Sequence, residues 1–192
     1  MSNFARVLAS IAAFLIASAL AAAAPAETTV DEQQKAAIRA ALFGDFARLD
    51  ETLRLATAFA QTHPTDVEAL CLLADAQTWS GRIREAGAAL ERARGIAPND
   101  ARIYFSLWWL CEHSPNREFG FLRGVDHRGA LDALVRCTEL DPKYADAWFN
   151  RAVCHALQWA PELEAARDAY RKYLALGAPP DATVESLIHW KP

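Results

Sequence analysis

The stretch from Val67 to Asp100 constrains this chain more than any other. It runs for thirty-four residues and reads as two helices joined at Gly81, with Pro98 closing the second. Leu70, Leu73 and Ala74 share one face of the first helix, and Ala86, Leu90 and Ala93 share one face of the second. Ala74, Ala86 and Ala93 stand where two antiparallel helices must approach closely. Gly81 permits the turn between them, and Pro98 cannot continue a helix. A single pair of helices cannot bury its apolar faces, so this stretch calls for neighbours of its own kind.

The flanking sequence supplies them. On the N-terminal side, Thr28 to Gln34 reads as a polar lead-in with Asp31 as a candidate N-cap. Ile38, Leu42 and Phe43 then keep helical spacing up to Gly44-Asp45. Phe46, Leu49, Leu53, Ala56 and Phe59 follow on one face of a second helix that ends near His63-Pro64. This makes a degenerate first unit over 33–66, with the regular unit at 67–100. In the third, 101–144, Tyr104, Leu107 and Trp108 take the first-helix positions, and Ala130, Leu134, Cys137 and Pro142 those of the second. The interval from Tyr104 to Ala130 is ten residues longer than that from Leu70 to Ala86, which places an insertion at 114–128. Trp108 stands where a small residue is expected, implying a wider helix pair or a local shift of register. The fourth unit, 145–179, carries Trp148, Ala152, Ala166, Tyr170 and Tyr173, with two extra residues at the Trp159-Ala160-Pro161 turn. Residues 181–190 hold an N-cap candidate, Asp181, and apolar Val184, Leu187 and Ile188, which fits a helix capping the last unit.

The spacing across these units resembles the tetratricopeptide repeat, in which aromatic, leucine and small residues recur through a helix pair that closes on proline. The resemblance implies an all-α fold: a right-handed superhelix of antiparallel helix pairs over 27–192, with a C-terminal capping helix. It also implies a concave groove, lined by the first helix of each pair, that binds protein or peptide segments. Carried over by position, the groove residues are Glu68, Cys71, Asp75, Thr78 and Trp79, then Arg102, Phe105, Trp109 and Glu112, then Asp146, Phe149 and Val153. Asp75, Trp79, Arg102, Phe105, Trp109, Phe149 and Val153 are the main binding candidates. The lysine and asparagine clamp with which some family members hold a C-terminal carboxylate is absent, since Cys71, Asp75, Phe105 and Trp109 occupy those places.

The first 26 residues belong to another class. Arg6 is the only charge before Glu27, Val7 to Ala24 is apolar or small, and Ala24-Pro25-Ala26 offers a cleavage site. That is the pattern of a secretory signal peptide, with an uncleaved anchor as the alternative. The expected protein is exported, periplasmic or secreted, with no membrane span once the signal is removed. A net charge of −4 without a basic stripe argues against nucleic-acid binding.

Helices 101–113 and 145–159 are apolar on nearly every side, so every side should be covered. Either the chain covers them itself, through Phe119, Phe121 and Leu122 of the insertion or Trp190 of the tail, or Trp79, Phe105, Trp109 and Phe149 offer an aromatic strip to a partner. The four cysteines are expected to be buried thiols, with Cys111 and Cys154 as the pair placed for a disulfide if one forms. Cys111-Glu112-His113 and Cys154-His155 lack the spacing of a zinc site. No catalytic signature or phosphate-binding glycine loop is present. These features lead to an expectation of a non-catalytic scaffold of the bacterial cell envelope, with no cofactor and no metal, that binds a protein or peptide. The alternatives are a metal- or redox-dependent enzyme using the Cys/His groups or the insertion, and an assembly subunit that pairs with its own copies.

Overall fold

A computed structural model describes residues 29–44, 48–113, 127–157 and 161–191. The signal segment, the Gly44-Asp45-Phe46 turn beyond Gly44, insertion residues 114–126 and the Trp159-Ala160 turn lie outside the described residues. All regular structure among the described residues is helical: α1 Val30–Gly44, α2 Leu49–Thr62, α3 Val67–Trp79, α4 Ile83–Ile96, α5 Ala101–His113, α6 His127–Leu140, α7 Ala145–Leu157, α8 Leu163–Ala175 and α9 Ala182–Leu187. The chain divides into two compact units, Met1–Pro98 and Asn99–Pro192.

In the first unit α1 packs on α2 and α3, α2 on α3, and α3 on α4. Ala74, Ala86 and Ala93 are fully buried beside Leu70 and Leu90, as close helix approach requires. Gly81 adopts φ +69° at the α3–α4 turn, a conformation that disfavours a side chain. Asp66 caps α3, its carboxylate accepting from the N–H groups of Glu68 at 2.8 Å and Ala69 at 3.1 Å. The same carboxylate meets Lys35 of α1 at 2.7 Å, and Arg39 pairs with Glu68. The lead-in differs from expectation, because helix begins at Val30. Thr29 rather than Asp31 stands at its start, the Thr29 hydroxyl accepting from Glu32 N–H at 3.3 Å. Asp31, in the first turn, instead lies 3.3 Å from His63 Nε2.

In the second unit α5 packs on α6, α6 on α7, α7 on α8, and α9 docks on α7. Its interior holds Ile103, Leu110, Leu134, Cys137, Ala152, Ala166, Tyr170 and Tyr173. Trp108 is buried, its ring beside those of Phe105 and Trp109. The Trp148 indole donates to Pro142 O at 2.9 Å, and the cations of Arg151 and Lys172 lie over its ring, 5.1 and 4.2 Å from the centroid. The C-terminal cap is shorter than 181–190 suggests. Asp181 accepts from Val184 N–H at 2.8 Å, and the helix ends at Leu187 before His189 turns to φ +50°. Tyr170 and Tyr173 tie this cap to α8. The Tyr170 hydroxyl accepts from Asp181 N–H at 2.7 Å, and the Tyr173 hydroxyl donates to Pro179 O at 3.0 Å.

Candidate partner-binding site

The structure sorts the groove candidates by exposure. On α3, Asp75 and Trp79 are half-buried, whereas Cys71 and Thr78 are buried. The Thr78 hydroxyl turns back to donate to Ala74 O at 2.8 Å. Glu68 is taken up by Lys35 and Arg39 of α1, so its charge is engaged within the unit.

On α5, Arg102 and Phe105 are half-buried and Trp109 is buried. Arg102 is held by Asp100, with Nε donating to Oδ1 at 3.0 Å and a terminal nitrogen to Oδ2 at 2.6 Å. That pairing holds the Asp100 carboxyl below its usual range. Phe105 stacks on Tyr144, the residue before α7, with ring centroids 5.0 Å apart. Trp109 stacks instead on His113 at 3.7 Å, and His113 Nδ1 meets Trp109 O at 2.9 Å. Burial lowers the His113 pKa, favouring the neutral ring.

On α7, Phe149 and Val153 are buried. Phe149 faces Tyr173 of α8, with ring centroids 5.2 Å apart, and so fills the α7–α8 interface. Trp190 packs edge-on against Tyr170, under Arg171. Asp146 is half-buried with no donor on its carboxylate among the described residues, and burial holds its pKa above the ordinary value. One turn on, Asn150 is 1 % exposed. Its Nδ2 donates to Asp146 O at 2.8 Å, while its Oδ1 has no partner. Asn150 escaped the sequence reading. The signal for it was an amide at i,i+4 spacing from Asp146.

Cys111 and Cys154 stand as thiols here, as do Cys71 and Cys137. Cys111 Sγ donates to Leu107 O at 2.8 Å, and Cys154 Sγ to Glu112 Oε1 at 3.9 Å. Burial, reinforced by Glu112, pushes the Cys154 pKa far up, and burial pushes Cys137 up to about 12. Thiols held protonated in this way are poor nucleophiles and poor metal ligands. Among the described residues no group of three His, Cys, Asp or Glu side chains could hold a metal. His155 Nδ1 instead meets Glu162 at 2.9 Å, clipping the end of α7 to the start of α8.

Residues 46–107 match the family model of the tetratricopeptide repeat. No curated protein matches the chain. Two crystal structures of MamA are similar to it. The first is 20% identical over 77% of this chain and 74% of that one, with a TM-score of 0.49. The second is 21% identical over 78% and 73%, with a TM-score of 0.47.

Proposed function

We propose that this protein is a non-catalytic binding module of the bacterial cell envelope, taking a protein or peptide segment against the first-helix faces of α5 and α7. One observation carries the reading. Phe105 is a large aromatic left half-exposed, stacked on Tyr144 and one turn from the Arg102–Asp100 pair, on a helix whose other large side chains are mostly inside. Aromatic side chains with an adjoining arginine dominate the energetics of protein interfaces. The tetratricopeptide-repeat match supports it, because it covers the start of this helix. The thiols of buried Cys137 and half-buried Cys154, both with raised pKa, weigh against the redox alternative.

Phe105→Ala is expected to leave the helical circular dichroism unchanged and to reduce retention of the co-purifying partner about tenfold. Undiminished retention by the folded variant would remove Phe105 from the site. Export rests on the N-terminal sequence pattern. The intact mass of protein recovered from its native compartment should equal that of the chain beginning at Glu27. A mass that retains Met1 to Ala26 would contradict cleavage.

A further inference from the structure

Positions i, i+3 and i+4 are neighbours on a helix surface, so an atom that meets two of them lies over the patch formed by all three. Cys154 of α7 stands in that relation to α5. Its Sγ donates to Glu112 Oε1 at 3.9 Å, and its ionisation responds to the Trp108 indole and to the Cys111 thiol. Trp108, Cys111 and Glu112 are the i, i+3 and i+4 positions of one strip of α5, and the Cys154 sulfur sits on that strip. The Cys111 thiol is turned back on its own helix, donating to Leu107 O at 2.8 Å, and changes partner by rotation about one bond. Cys137 is fully buried and Cys71 is 4 % exposed, whereas Cys111 and Cys154 are half-buried and open to a reagent.

We propose that Cys111 and Cys154 are an oxidisable pair, closing to a disulfide that ties α5 to α7 when the protein meets a disulfide oxidant. The oxidant is a second disulfide, of low molecular weight or carried by a protein. The Cys111 thiolate attacks one of its sulfurs, forming a mixed disulfide and releasing a first thiolate. Cys154 then attacks Cys111 Sγ, breaks the mixed disulfide and releases a second. The cysteines lose two protons and the released thiolates take up two, so two thiols are oxidised and one disulfide is reduced. Cys111 attacks first because burial and the Glu112 charge disfavour the Cys154 thiolate. The second step tolerates a small thiolate fraction, since the sulfurs are held on adjoining surfaces of one chain. The bridge is structural, because the cycling cysteines of redox enzymes have depressed pKa values instead. It stands whether or not a partner binds at Phe105.

The test incubates the folded, fully reduced protein with oxidised glutathione, then alkylates it in denaturant and maps its tryptic peptides by mass spectrometry. Each of the four cysteines falls in a different tryptic peptide, so the linkage is read directly. The expected product has Cys111 linked to Cys154, with Cys71 and Cys137 alkylated. Its Tm should exceed that of the reduced protein by on the order of 10 °C, because the bridge closes a long loop of the second unit. Cys154→Ser should stop at the mixed disulfide, with one glutathione on Cys111, while Cys111→Ser should leave Cys154 unmodified over the same interval. Four alkylated cysteines, a bridge through Cys71 or Cys137, or an oxidised protein that melts no higher than the reduced one overturns the pair. Faster modification of Cys154 in Cys111→Ser than of Cys111 in Cys154→Ser overturns the order of attack.

Discussion

Phe149→Ala should destabilise the second unit by about 3–5 kcal/mol, the cost of removing a buried aromatic ring and leaving a cavity. Spacing alone puts Phe149 on a partner-facing strip, where truncation would weaken binding and leave stability untouched. The structure gives the opposite expectation: the ring is 4 % exposed and packs on Tyr173, itself 1 % exposed, in the α7–α8 interface. Alanine leaves Tyr173 facing a void that the close approach of the two helices cannot fill, with Ala152 and Ala166 already fully buried in this unit. Urea titration followed by circular dichroism measures the effect. A loss below about 1 kcal/mol would mean that the ring is not an interior one. The same logic makes Phe149→Ala a poor test of binding and Phe105→Ala a good one.

Tyr170→Ala is expected to cost a similar amount, about 3–5 kcal/mol, for two distinct reasons. The ring is fully buried, in contact with Tyr173 and Trp190. Its hydroxyl accepts from Asp181 N–H at 2.7 Å and lies 3.3 Å from Glu185, fastening the capping helix α9 to α8. Tyr170→Phe separates the two contributions. It keeps the ring and should cost about 1–3 kcal/mol through the Asp181 N–H left without its acceptor. Amide hydrogen exchange over 181–188 should quicken in both variants, because the tie is lost in both. A Tyr170→Phe protein as stable as the parent, with unchanged exchange over α9, would show that the hydroxyl does not hold the cap.

The helix pairs were legible in the sequence because their signal is local. Ala74, Ala86 and Ala93, at fixed offsets from leucines, mark helix contacts whatever surrounds them, and all three are fully buried. Gly81 and Gly177 mark turns for an equally local reason, as both adopt positive φ. The site was harder to read. On α5 and α7 large apolar residues stand on several sides of the helix, so periodicity cannot say which aromatic faces inward. Trp109 and Phe149 went in, while Phe105 stayed half-out. The capping ties were hidden for another reason: Tyr170 reaches Asp181 across eleven residues, and nothing in the spacing signals a hydroxyl meeting a backbone N–H. The Thr29 cap of α1 was missed because Asp31, two residues on, offered the same chemistry with a carboxylate.

The central claim is that the α5–α7 first-helix face, rather than the outer helices, receives a partner. Site-specific photo-crosslinking in the native compartment tests it directly, with a benzophenone side chain placed at Phe105 in one protein and at exposed Arg136 of α6 or Arg171 of α8 in others. The expected result is one discrete crosslinked species from position 105 and none from positions 136 and 171. Equal crosslinking from all three positions, or capture only from the outer helices, would contradict it.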